Sequence, residues 1–220
     1  MNIVILGSTG LVGKHVLEFA KLDARINKIY LITRNPILNQ IDSRIINLIH
    51  ENLFIDQDFL NTNQVEKIDA VLCTLGTTIK KAGTKEKFNK IDKDLVLHLA
   101  KVFKAFGANH FSVVSALGAN PYSSIFYNKV KGEMEEDLKK IDYDVLTILR
   151  PSLLIGERNE FRPSEKIMIF LAPLLNQVLI GDMKKYQAID ANLVALALFN
   201  SIFNSGNGIK IIENDQLLKK

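Results

Sequence analysis

The stretch Asn2-Ile3-Val4-Ile5-Leu6-Gly7-Ser8-Thr9-Gly10-Leu11-Val12-Gly13 decides how the rest of this chain is read. Ile3 to Leu6 are four apolar residues in succession, short enough for a strand and too uniform for one with a wet face. Gly7, Gly10 and Gly13 follow at G-x-x-G-x-x-G spacing, and Leu11, Val12, Val16, Leu17, Phe19 and Ala20 then recur at helical period. The unit is a strand, a glycine turn and a helix. Glycine permits a tight turn and close backbone approach, while the unpaired N–H groups and dipole at a helix start attract an anion. Gly7, Ser8, Thr9, Gly10, Leu11, Val12 and Gly13 are therefore the expected cradle of a dinucleotide diphosphate.

Outward from this unit, 28–33 reads as a second buried strand closed by Arg34-Asn35-Pro36. Arg34 falls about 20 residues past the glycine turn, where dinucleotide folds place an acid for a ribose 2′-hydroxyl or an arginine for a 2′-phosphate. No Asp or Glu stands there, so the expected cofactor is NADP(H) in preference to NAD(H). The third strand is either 44–49 or 53–55. Asp56 either contacts the adenine through its neighbouring backbone or caps the turn at Asp58. The segment 69–75 is a fourth strand, and Leu75, Gly76, Thr77 and Thr78 at its carboxyl end should border the cofactor opposite the glycine turn. Cys73, within that strand, reads as a small buried hydrophobe. The lysine-rich stretch 79–90, with Gly83, reads as a mobile, solvated loop.

Helical spacing predicts a helix over 92–106, ending at Gly107, and another over 123–140; strands are expected at 109–114 and 145–149. The remainder suggests a helix or lid at 160–172, an apolar helix at 189–203 and a short last strand at 208–212. Strands alternating with helices imply an α/β fold, a Rossmann-type doubly wound parallel sheet with helices on both faces. At 220 residues, with no linker or repeat, one domain spanning 1–220 is expected, with 152–188 facing the substrate.

Hydrophobic residues at 47% and charged residues at 24% are ordinary for a globular chain and exclude a disordered or fibrous one. A net charge of +4 is too mild to argue for nucleic acid, though it suits an anionic cofactor. The single cysteine excludes an internal disulfide, and no Cys/His spacing suggests a metal site. With no basic n-region and a first apolar run interrupted at Gly7, a cytoplasmic location is expected. The apolar stretch 167–180 contains Pro173, Asn176 and Gln177 and is shorter than a bilayer span, so no membrane span is expected. Its apolar character suits a hydrophobic ligand or a contact with a second subunit or other protein partner.

Tyr127 and Lys131 stand four residues apart on a predicted helix, on one face and one turn from each other. A nearby ammonium favours a phenolate, which makes such a pair a usable acid and base. Ser115, at the end of a predicted strand, could turn its hydroxyl into the same crevice and hold a substrate carbonyl. With a nicotinamide in the glycine-turn crevice, the set describes carbonyl reduction.

Taken together, Gly7-Ser8-Thr9-Gly10-Leu11-Val12-Gly13, Cys73-Thr74-Leu75-Gly76-Thr77-Thr78, Tyr127-Asn128-Lys129-Val130-Lys131-Gly132-Glu133 and Leu149-Arg150-Pro151-Ser152 resemble the short-chain dehydrogenase/reductase superfamily in its extended and atypical branches. The likeness is greatest to the NADP-binding oxidoreductase-like proteins named for interaction with the viral transactivator Tat. It implies that Ser115, Tyr127 and Lys131 form a catalytic triad, with Lys131 also holding the nicotinamide ribose. It places Pro151, Ser152, Leu153 and Leu154 along the nicotinamide. Many relatives carry an asparagine on the helix before the serine strand as part of a proton relay; here Ile91-Asp92 occupies that place. The implied activity is NADPH-dependent reduction of a small carbonyl compound, the alternative being an NADPH-binding regulatory or sensor protein with little turnover.

Overall fold

The computed structural model describes residues 1–37, 41–156, 181–204 and 206–219. Seven strands form one parallel sheet: β1 (Asn2–Leu6), β2 (Lys28–Thr33), β3 (Ile45–Ile49), β4 (Ala70–Cys73), β5 (His110–Val114), β6 (Val145–Arg150) and β9 (Gly208–Glu213), in the order β3-β2-β1-β4-β5-β6-β9. A small second sheet pairs β7 (Leu154–Ile155) with β8 (Ile189–Asp190). The expected doubly wound α/β architecture is what the chain adopts.

The uniform apolar run of β1 is explained by its place. Val4 and Leu6 enter one core with Leu99 and Phe103 of α5 (Val96–Ala105) and Met134 and Leu138 of α6 (Phe126–Lys139). Ile3 and Ile5 enter the other, with Val16 and Ala20 of α1 (Leu11–Leu22) and Val194 and Leu198 of α7 (Ala191–Ser201). A strand covered on both faces has no position for a polar side chain. Its neighbours β2 and β4 diverge in connection, so the crevice of the topological switch opens beyond Leu6. Leu6 is in register with Cys73, which sets Gly7 beside Thr74.

Several boundaries differ from expectation. The third strand is the earlier candidate, and Leu53 takes a left-handed φ of 66° that a strand excludes. The stretch 79–90 is no open loop: α3 (Ile79–Ala82) and α4 (Lys85–Asn89) form there, capped by the Thr78 and Thr84 hydroxyls and separated by Gly83. Their apolar faces bury Ala82 and Phe88, an anchorage the lysine count conceals. The helix expected over 92–106 begins as a π-helical turn, Lys90–Leu95, before α5. The α6 helix starts only at Phe126, and Ile189 and Asp190 form β8 rather than the head of α7. The last segment is α8 (Asn214–Leu217). The expected lid at 160–172 and the apolar stretch 167–180 lie outside the described residues.

Candidate active site

Beyond β1 the chain turns at Gly7, with φ +83°, and the Gly10 amide closes the turn on the Gly7 carbonyl at 2.9 Å. A Cβ at Gly13 would stand 2.1 Å from that carbonyl oxygen, so no other residue fits. Thr74 braces the turn from β4's end, its Oγ1 lying 2.9 Å from the Leu6 oxygen and 3.1 Å from that of Gly7. The N-cap of α1 is Gly10, which offers no side-chain acceptor to the first-turn amides. Ser8 beside it is buried, and its Oγ has no hydrogen-bond partner among the described residues. A buried hydroxyl without a partner next to an uncapped helix start fits a diphosphate. Thr9 stays exposed at the mouth, while Leu11 is half-buried and Val12 buried beneath it.

Arg34 follows β2 directly, exposed and without a hydrogen bond or ion pair among the described residues. Asp56 is the N-cap of α2 (Gln57–Thr62), its Oδ1 accepting the Phe59 amide at 2.8 Å. Leu75, Gly76, Thr77 and Thr78 line the end of β4 next to the glycine turn. The Thr78 hydroxyl is committed to capping α3, and the Thr77 amide donates to Asp92 Oδ2 at 2.8 Å. Cys73 is buried, and that burial pushes its thiol up to about 12, which leaves it inert as a nucleophile.

Lys131 is only 3% exposed and sits 2.7 Å from Asp92 Oδ1, itself on a residue 1% exposed. The pair is a buried salt bridge of ammonium against carboxylate. Burial works against the Lys131 charge, but the Asp92 carboxylate and the Tyr127 oxygen outweigh it and hold the ammonium above its ordinary value. Tyr127 packs its ring at 5.6 Å from that of Phe88, and its hydroxyl has no hydrogen-bond partner among the described residues. Gly132 next to Lys131 lets the chain after β5 cross α6: a Cβ there would lie 2.2 Å from the Asn120 carbonyl carbon. Thr74 is the part of the site that sequence reasoning missed, and Asp92 was legible only as the residue at the place of the relay asparagine, not as the partner of Lys131. The signal for Thr74 was its position one residue past a buried strand, whereas nothing local in the sequence marks the meeting of Asp92 with Lys131 on another helix.

Ser115 is tied to α6 one turn past Lys131. Its Oγ donates to Glu135 Oε1 at 2.5 Å, and no hydrogen bond joins it to Tyr127. Glu135, 1% exposed, also receives Arg150, whose Nη1 reaches Glu213 Oε1 at 2.8 Å. A hydroxyl has one proton to donate, and this one is spent on a carboxylate. In this arrangement the Ser115 hydroxyl is directed at Glu135. After Pro151, the Ser152 amide donates to Asn214 Oδ1 at 3.0 Å and its hydroxyl to the Gln187 carbonyl, which fixes the strap carrying Leu153 and Leu154.

A family model described as HIM1 matches residues 37–181. The chain belongs to the HIM1 family. This HIM1-family chain is 30% identical to Protein HTATIP2 of Rattus norvegicus over 225 residues, covering 99% of this chain and 88% of that protein. It is 29% identical to Protein FMP52, mitochondrial, of Eremothecium gossypii, over 99% of this chain and 96% of that protein. The Candida albicans protein of the same name is 37% identical over 73% of this chain and 70% of its own. Among solved structures, the UDP-glucose 4-epimerase of Thermotoga maritima with UDP-glucose superposes with a TM-score of 0.72 at 16% identity, covering 98% of this chain and 77% of that one. The Bordetella bronchiseptica enzyme WbmG in complex with NAD does so with a TM-score of 0.69 at 13% identity, over 98% and 73%. These likenesses bear out the resemblance to the proteins named for interaction with Tat, and the epimerase and WbmG structures share the fold of the HIM1-family chain. The expected cytoplasmic location is corrected by the FMP52 relatives, which are named mitochondrial. A single buried cysteine does not tell cytosol from mitochondrial matrix. Among the described residues no helix is long and apolar enough to cross a membrane.

Proposed function

We propose that this HIM1-family protein is an NADPH-dependent oxidoreductase that reduces a small, apolar carbonyl compound. The observation that carries the reading is Lys131, a buried and charged lysine one helical turn from Tyr127, whose hydroxyl has no hydrogen-bond partner among the described residues. A nicotinamide bound in the glycine-turn crevice supplies the hydride. Tyr127 gives its proton to the carbonyl oxygen, so that carbonyl, NADPH and one proton become alcohol and NADP⁺. The Lys131 ammonium offsets the negative charge left on Tyr127 and holds the nicotinamide ribose. Ser8 and the first turn of α1 take the diphosphate, and the exposed Arg34 takes the 2′-phosphate that distinguishes NADPH. The strap from Pro151 to Leu154, held by Asn214, would border the nicotinamide. Tyr122, 93% exposed, and Ile125, 61% exposed, project from the chain between β5 and α6 just before Tyr127, and suit an apolar substrate.

Ser115 favours a second reading. With its proton given to Glu135, one donor of a three-residue relay is missing, as fits an NADPH-binding regulatory protein with little turnover. Tyr127→Phe separates the two. For the enzyme it removes turnover against a panel of apolar aldehydes and ketones while NADPH affinity stays nearly unchanged. Turnover that survives in Tyr127→Phe sinks the proposed chemistry, and NADPH binding by the wild type with no reduction of any carbonyl favours the regulator.

A further inference from the structure

Between α4 and α5 the helix widens into the π-helical turn Lys90–Leu95, a form that occurs mostly as single turns and often at functional sites. Its effect here is to turn Asp92 inward, to 1% exposure, while Lys93 stays nearer the surface. Two residues of the turn tie it to α6 by ion pairs, Lys93 also lying 3.8 Å from Asp137 Oδ2. Lys93 Nζ meets Glu133 Oε2 at 2.7 Å in a part-exposed pair, and Asp92 meets Lys131 two residues earlier on α6 in a buried one. Asp92 has a second duty, accepting the Thr77 amide at 2.8 Å. Gly76 makes room for both: a Cβ there would stand 3.3 Å from Asp92 Oδ1 and 3.7 Å from Lys131 Nζ.

We infer that Asp92 is a positioning residue that couples the loop bordering the nucleotide to the proton-transfer lysine, one carboxylate oxygen holding the Thr77 amide and the other the Lys131 ammonium. The inference rests on the oxidoreductase reading above for what Lys131 does. The groups that face Lys131 are Asp92 from the π-helical turn, Tyr127 from its own helix and Cys73 from β4. Cys73 is neutral at physiological pH, and Tyr127 must change charge during the reaction, so Asp92 is the constant counter-charge. A direct carboxylate does here what a relay through a neutral side chain and water would leave to solvent.

The test uses the full chain. Lysine side-chain NMR, with Lys131 assigned from Lys131→Met, follows its ionisation, and NADPH fluorescence follows the loop. In Asp92→Asn the Lys131 titration moves down by about one unit or more, because burial is no longer opposed. Its amide oxygen still accepts from Thr77, so the NADPH Kd stays within about threefold, whereas Asp92→Ala loses both duties and raises the Kd by roughly tenfold. Should Asp92→Asn not fold, Asp92→Glu carries the test. It keeps the charge, so Lys131 titrates within about half a unit of wild type, but its longer arm displaces the Thr77 amide and the Kd rises by roughly tenfold. An unmoved Lys131 titration in Asp92→Asn, or a wild-type Kd in Asp92→Ala or Asp92→Glu, overturns the inference. Neither readout needs turnover, so a protein that binds NADPH and reduces nothing would sink the oxidoreductase reading while these numbers still judge Asp92.

Discussion

Ser115 Oγ lies 2.5 Å from Glu135 Oε1, and the same carboxylate carries the Arg150 guanidinium, so the strand-end serine belongs to an ion-pair cluster joining β5, α6, β6 and β9. Ser115→Ala removes a hydrogen bond to a charged acceptor but leaves Arg150 in place. Expected is a loss of about 1–2 kcal/mol in urea unfolding with turnover reduced less than about tenfold. A fall in kcat of ~100-fold or more at unchanged stability would instead return Ser115 to the chemistry.

Arg34 has no partner among the described residues to hold it, so its loss costs the fold little. Arg34→Ala should weaken NADPH binding by roughly tenfold to a hundredfold, the worth of a charged hydrogen bond to phosphate, while NADH binding stays within about twofold. Parallel fluorescence titrations with the two cofactors check this. An equal loss for both would mean that Arg34 reads no 2′-phosphate.

Gly132→Ala tests whether the chain after β5 depends on close passage over α6. The added Cβ would meet Asn120 and Pro121 backbone atoms at 2.2 to 2.5 Å, and backbone cannot move aside as a flexible side chain can. Destabilisation of about 1–3 kcal/mol is expected. Turnover should fall further than NADPH affinity, because Tyr127 lies beside the displaced segment and the glycine turn does not.

Alkaline pH should destabilise the protein in stages. The Cys73 thiol ionises near 8.5 in an unfolded chain and is pushed up to about 12 by burial, so its contribution is whole below the first value and lost as pH rises toward the second. The slope is ~1.4 kcal/mol per pH unit once the unfolded thiol is ionised. Lys131 and Tyr143 are also raised, Lys131 by Asp92 and Tyr127 against its burial and Tyr143 by burial first, so both add to the decline only above about pH 10. Cys73→Val, close in volume and without a proton, should flatten the curve between roughly pH 9 and 10. An unchanged slope there would assign the decline elsewhere.

The glycine turn between a two-sided strand and an amphipathic helix, the alternation of strands and helices, and the Tyr127–Lys131 spacing are local patterns, and local periodicity carries them without reference to the rest of the chain. From them the doubly wound sheet and the family resemblance could both be read before any coordinate. The sequence alone could not show that Asp92, nearly forty residues from Lys131, would be its counter-charge, because that meeting depends on a π-helical turn packed against α6. Nor could it show that Ser115 would turn to Glu135 rather than Tyr127, since Glu135 is one of several acids on α6 and burial beside Arg150 sets it apart. Which buried charge meets which is decided by packing, because an unpaired one is too costly to leave and only the folded core fixes which partner is in reach.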